Sequence, residues 1–189
     1  PTPQNSNATF WRTFLCSDMG ANYYKFTTVD QFNNSAETTS QNITIERDDV
    51  QLTVSSASNS TARRRGSNSS LLSARVYASD SGVYPNNTNA TIWVTENSSN
   101  YSLNYACSTL NGYCNATHNP GCNTSATVQK WIGGTTDSCY KAVNATETNL
   151  TVFGTLFANV SSPLQNVLAN RNTTLQFNAT TNDDCGTVL

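Results

Sequence analysis

Charge is what this chain has least of. Only 12% of its 189 residues are Asp, Glu, Lys or Arg, and the formal net charge is −2; about a quarter is usual for a soluble domain. That near-neutral balance excludes nucleic acid as the main partner. Histidine occurs once, so metal centres built on close Cys/His pairs have almost no material. No apolar run approaches the ~20 residues that cross a bilayer, so no membrane span is expected. The chain opens on Pro1 without Met, and no N-terminal stretch reads as a secretion signal, so a mature, processed protein is expected. No linker or convincing internal repeat divides it, and 1–189 is expected to form a single domain.

Asn, Ser and Thr stand where the charges are missing. There are 26 Asn, 22 Ser and 28 Thr, which is 76/189 of the chain. The N-glycosylation acceptor Asn-x-Ser/Thr occurs sixteen times: at Asn7, Asn33, Asn42, Asn59, Asn68, Asn86, Asn89, Asn97, Asn100, Asn115, Asn123, Asn144, Asn149, Asn159, Asn172 and Asn178. Chance sets a baseline. Multiplying 26/189 by 50/189 over 187 positions gives about 7 acceptors. The excess points to selection for covalent N-glycans, which are bulky, solubilising and confined to the surface. No other cofactor is expected. A glycosylated chain belongs outside the cell, secreted or on a surface appendage.

Cysteine fits that address. Cys16, Cys107, Cys114, Cys122, Cys139 and Cys185 form an even set, so three disulfides are expected, with 15 possible pairings. Asn111-Gly112 is a two-residue hairpin signal. It would set Thr109 opposite Cys114 and leave Cys107 diagonal to it, which favours partners outside the hairpin for both cysteines.

Apolar and polar residues alternate at the two-residue period of half-buried strands. Ile43 and Ile45 carry the pattern, as do Val50, Leu52 and Val54, then Leu72, Ala74, Val76 and Ala78, then Ala90, Ile92 and Val94. Leu150 and Val152 open a segment running on to Leu156, Ala158 and Val160; Leu175, Phe177 and Ala179 form the last. A first strand near the N-terminus is marked by Phe10 and Phe14, or by Trp11 and Leu15. Asn42, Asn89, Asn149, Asn159, Asn172 and Asn178 all fall in the polar phase, where a sugar can reach solvent. Gly133-Gly134 is expected to close a second hairpin between 128–132 and 135–140. Ser162-Pro163 followed by Leu164, Val167 and Leu168 reads as the start of one short helix near 163–169. The expected fold is all-β, an antiparallel β-sandwich or barrel-like domain, with a disulfide-stapled, loop-rich elaboration at 104–140.

Catalytic chemistry finds little support. His118 lies in Asn-Ala-Thr-His-Asn-Pro-Gly and reads as a surface-loop residue. The pairs Asp48-Asp49 and Asp183-Asp184 read as solvated turns, with calcium the alternative. Nothing resembles a nucleophile elbow or phosphate loop. No catalytic residue and no metal site is assigned, and an enzyme is not expected. Arg63-Arg64-Arg65 reads as an exposed loop, with a cleavage site or anionic-glycan patch as alternatives. Asp80-Ser81-Gly82-Val83-Tyr84 resembles the strand E to F corner of immunoglobulin variable domains, which implies a sandwich and a hydroxyl hydrogen bond from Tyr84. The chain departs from that pattern at Asn86, where a Cys is expected.

Two functional readings follow. One is a glycan-coated structural protein that polymerises into a fibre or surface coat, a homopolymer joined by strand donation from Thr9–Leu15 or Thr174–Thr180. The alternative is a glycan-shielded adhesin, receptor ectodomain or viral surface glycoprotein, with a protein or glycan ligand bound at a sugar-free patch.

Overall fold

A computed structural model describes residues 8–56, 60–66, 68–163 and 168–186. Two sheets form the body of the molecule. The first is three-stranded: β5 (Val50–Val54), β7 (Ser70–Ala78) and β10 (Tyr113–His118), in the order β10-β7-β5. The second is five-stranded: β6 (Ser60–Arg63), β8 (Asn89–Thr95), β9 (Tyr101–Ser108), β11 (Val128–Thr135) and β12 (Thr148–Phe153), in the order β6-β12-β11-β8-β9. Their apolar faces meet. Leu72, Val76, Ala78 and Cys114 from one sheet pack with Ala62, Ile92, Val94, Trp131, Leu150 and Val152 from the other in one cluster. The fold is the expected β-sandwich. Its ladders are antiparallel except β12–β6, which is parallel; a parallel pair needs a long crossover, and here most of the sandwich lies between the two strands.

Three two-stranded sheets lie at the chain ends. β1 (Gly20–Tyr24) pairs with β4 (Gln41–Ile45), and β2 (Thr27–Val29) pairs with β3 (Ser35–Glu37) between them. β13 (Leu156–Ser162) pairs with β14 (Asn178–Asp183). No residue of these six strands is buried. Ile43 therefore alternates as expected yet is exposed, because no second sheet covers it. The segment read as running from Leu150 to Val160 is two strands, broken at Gly154-Thr155. The N-terminal strand expected at 9–15 is irregular chain, ending in a 3-10 turn at Cys16–Asp18. The C-terminal strand begins only at Asn178, leaving Leu175 and Phe177 outside it. The helix expected near 163–169 falls largely on 164–167, outside the described residues; Pro163 is a bend and Leu168 and Ala169 are irregular.

The stretch 104–140 is not an elaboration. It contributes the end of β9, β10 and β11, so it supplies a strand to each sheet. Asn111-Gly112 does make the expected tight turn, with φ of 52° and 79° and a Leu110–Tyr113 bridge. After that single bridge the strands part into different sheets. Cys107 and Cys114 then face each other across the sandwich and are bonded, with Cα atoms 5.6 Å apart, against the expectation of outside partners. The other bonds are Cys16–Cys139 and Cys122–Cys185. Gly133-Gly134 forms no hairpin. Both glycines lie within β11, paired with Ile92 and Thr91. A Cβ at Gly133 would fall 2.5 Å from Cβ of Ala74 in the opposite sheet. The glycine is there for sheet-to-sheet approach, not for a turn.

Candidate functional site

The acceptor asparagines can be placed one by one. Asn7 and Asn59 lie outside the described residues; the other fourteen are all exposed. On the sandwich the expected phase is seen directly. Asn89 precedes buried Ala90, Asn115 sits between buried Cys114 and Ala116, and Asn149 precedes buried Leu150. On β4, β13 and β14 the same alternation carries no burial, so Asn42, Asn159 and Asn178 are exposed on strands that are exposed on both faces. Asn172 lies in a turn at φ 71°. The acceptor side chains share one hydrogen-bonding pattern. Where an acceptor side chain is bonded, its Oδ1 accepts: Asn86 from Asn111 N–H, Asn97 from Ser99 and Asn100 N–H, and Asn178 from Gln176. Among the described residues no acceptor Nδ2 donates a hydrogen bond. Asn22 and Asn34, which are not acceptors, do donate through Nδ2, to Asp18 and Gly20 carbonyls and to Asp30. The atom that would carry sugar is thus free at every described acceptor, as it also is at Asn87, Asn104, Asn111, Asn119, Asn170 and Asn182.

The N-terminal region forms an aromatic cleft of about 650 Å³, lined by Phe10, Trp11, Phe14, Tyr24, Phe26 and Ile43 among others. Phe10 is 73% and Trp11 88% exposed. The lining is partly fixed by local contacts. The Arg12 guanidinium lies 5.4 Å from the Phe14 ring centroid and pairs with Asp18 at 2.9 Å. Tyr24 and Phe26 meet edge to face. Asn22↔Ile43 and Tyr23↔Asn42 are cross-strand pairs. Directly opposed residues share a face, so acceptor Asn42 is on the face away from Ile43. The C-terminal hairpin also exposes large apolar side chains, with Leu156, Phe157 and Val160 on β13 and Phe177 just before β14.

Each end is fastened to the sandwich covalently. Cys16 reaches Cys139 beyond β11, and backbone bonds from Asp48 to Cys139 and from Lys141 to Asp48 run beside it. Lys141 Nζ sits 2.6 Å from Asp49 and 3.2 Å from Glu46; those hydrogen bonds, Asp49 first, raise its pKa. At the other end Cys122 holds Cys185. Beside it, Arg64 reaches Asp183 at 2.9 Å and Asp184 at 2.7 Å, and Arg65 donates to the Asp184 carbonyl. The Arg64 and Asp184 side chains are only 10% and 8% exposed. Arg64 is therefore a largely covered fastener, while Arg63 and Arg65 beside it are exposed. Asp183-Asp184 is not a solvated turn, and its cation is a guanidinium.

His118 is also not a surface residue. It ends β10 with 0% exposure, and its Nδ1 meets the Tyr105 hydroxyl of β9 at 2.9 Å across the two sheets. Burial lowers the His118 pKa, with Glu96 opposing, and burial raises that of Tyr105. The residue misled as a loop signal because Asn-Pro-Gly follows it at once. Asp80-Ser81-Gly82-Val83-Tyr84 does not form the immunoglobulin corner. Asp80 caps Asp49 N–H at 2.7 Å, and the Tyr84 ring lies 3.5 Å from the Arg75 guanidinium. The Tyr84 hydroxyl has no hydrogen bond among the described residues.

Among the described residues no helix is long and apolar enough to cross a membrane. Three disulfides point to an extracellular or surface protein. No protein-family model and no curated protein sequence matches the chain. Among solved structures it is similar to the "D00-D0 domain of Intimin", at 16% identity and a TM-score of 0.37, over 73% of this chain and 68% of that one.

Proposed function

We propose that this chain is an N-glycosylated extracellular structural protein, a subunit that joins copies of itself into a filament or coat through β-strand contacts at its ends. The observation that carries this reading is the state of the two chain ends. Both are disulfide-fastened, both expose aromatic and aliphatic side chains, and both carry strands with unpaired edges. An open edge satisfies its N–H and C=O groups by accepting a strand from another chain. The segment 8–15 has no sheet partner of its own and carries Phe10, Trp11 and Leu15 in the open; it is the donor. The segment 174–180 is a poorer donor, because Asn178 to Thr180 already pair with β13. Sugars on Asn89, Asn115 and Asn149 would block lateral contacts through the sandwich, while Asn33, Asn42, Asn159, Asn172 and Asn178 lie on the end regions, so contacts there are left to the faces their sugars do not cover. The reading uses no catalytic group, no metal and no cofactor beyond covalent glycan, and names neither nucleic acid nor membrane as partner.

The test is negative-stain microscopy of native material with glycopeptide mass spectrometry. Filaments whose loss follows deletion of 8–15 are expected. Monodisperse particles at high concentration overturn the filament. A second reading is favoured by the aromatic cleft, which suits a protein or glycan ligand of an adhesion module; it predicts single particles that bind through Trp11.

A further inference from the structure

We propose that the glycan on Asn144 is held against the indole of Trp93, making its first sugar part of the outer surface of the five-stranded sheet. This rests on the glycosylation reading above. Trp93 lies on the outward face of β8, between buried Ile92 and Val94, opposite Ile132 of β11 and Asn104 of β9. It is only partly buried. Beside it on β11 is Gly134, which bridges to Asn144 on the other side. Backbone bonds from Thr135 N–H to the Val143 carbonyl and from Ala145 N–H to the Gly133 carbonyl fix that register.

The glycine makes the contact possible. A Cβ at Gly134 would fall 2.7 Å from Cζ3 and 3.1 Å from Cη2 of Trp93, and would collide with Oδ1 of Asn144. The indole and the carboxamide thus lean into one slot from opposite sides. The carboxamide gives its oxygen to the slot. Its Nδ2, the atom that bears sugar, makes no hydrogen bond among the described residues, and the residue is exposed. A pyranose attached there starts beside the indole. Its axial C–H groups carry partial positive charge and the ring face is the negative lobe of a quadrupole, so stacking joins the two and removes apolar indole from water. The residues directly opposed to the acceptors on sandwich strands are larger than glycine: Ser108 for Asn89, Ser73 for Asn115 and Lys130 for Asn149.

The experiment uses the full chain from its glycosylating host, with Thr146→Ala, Trp93→Leu and the double variant beside it. Glycopeptide mass spectrometry is expected to find Asn144 occupied, and Thr146→Ala to remove the glycan without touching the asparagine. Ring protons of the first sugar are expected upfield, shifted by the indole ring current, and back at ordinary positions in Trp93→Leu. Loss of the glycan is expected to lower Tm by about 2–4 °C, the shift of a ~1 kcal/mol effect in a chain this size, and to have no effect where Trp93 is already gone. An occupied Asn144 with unshifted sugar protons and additive Tm losses overturns the stacking and leaves the glycosylation reading standing. An unmodified Asn144 in native protein overturns the inference together with that reading at this position. If Trp93→Leu fails to fold, Trp93→Phe keeps a smaller ring and is expected to keep part of the shift.

Discussion

Between Val50 and Phe153 every strand turns one face to the core; in β1, β2, β3, β4, β13 and β14 no residue is buried. Yet the two regions alternate apolar and polar residues alike. Leu72, Ala74, Val76 and Ala78 are dry because the five-stranded sheet covers them, while Ile43 and Val160 are wet because nothing does. Alternation records which side of a strand is apolar. Whether that side is buried depends on a second sheet, contributed by distant parts of the chain. The sandwich is held by burial, and the ends are held by two disulfides, by Arg64 with its two carboxylates, and by Lys141.

The sharpest way to break this contrast is to cut into each region equally. Trp131→Ala removes a fully buried ring from the centre of the sandwich, and a loss of about 3–5 kcal/mol is expected from lost transfer and cavity terms. Urea unfolding followed by circular dichroism reads it. A comparable loss from Phe177→Ala, which is 73% exposed, would show that the ends share the core after all.

The disulfides sharpen the contrast because two models order them oppositely. Loop closure in the unfolded chain predicts the largest gain from Cys16–Cys139, which spans 123 residues, and the smallest from Cys107–Cys114, which spans 7. By chain entropy alone these are worth about 5 and about 2.4 kcal/mol. The structure predicts the reverse for the sandwich. Cys107–Cys114 joins the two sheets along the β9/β10 side, and its removal as a double Ala variant is expected to cost about 2–4 kcal/mol of sandwich stability. Removing Cys16–Cys139 is expected to leave the main transition nearly in place and to open residues 20–45 to protease instead. Limited proteolysis beside thermal unfolding separates the two orders.

Much of the sandwich was legible. The runs Leu72 to Ala78 and Ala90 to Val94, with Leu150 and Val152, sit inward as the sequence implies, and Asn89 and Asn149 beside them face out, whereas Leu156 to Val160 does not sit inward. What failed was long-range. Gly133-Gly134 has the composition of a turn, but only the packing of Ala74 against it says that a strand passes there. Cys107 and Cys114 are diagonal in a regular hairpin and face each other once the strands part into separate sheets. Arg64 looked like one of three surface charges because its carboxylates lie 119 and 120 residues away. The aromatic cleft was missed for the same reason, although the density of Phe, Trp and Tyr between 10 and 32 was there to be noticed.

A smaller effect probes the β9/β10 side through pH. Burial holds the His118 pKa below its ordinary 6.5 in the folded chain. Above that value the ring is neutral in both states, and stability is at its full level. As pH falls through 6.5 the unfolded chain takes up a proton that the folded chain does not, so stability falls with decreasing pH. Tm is expected to drop between pH 7 and pH 5. His118→Gln is expected to flatten that drop, and a slope unchanged by the substitution would place the titrating group elsewhere.

The smallest effect on the isolated chain is the most telling for its role. Phe10→Ser and Trp11→Ser alter side chains that touch no part of the core, so each is expected to change monomer stability by less than about 0.5 kcal/mol. If the ends exist to meet another copy, the same pair is expected to abolish filaments, since the donor then offers main-chain hydrogen bonds without side chains to fill the acceptor. Sedimentation of the double variant beside its unfolding curve reads both quantities on one sample. An intact curve with lost assembly ties the exposed aromatics to association. Intact assembly would mean that copies meet through another face, and the unpaired segment 8–15 would need a different occupant.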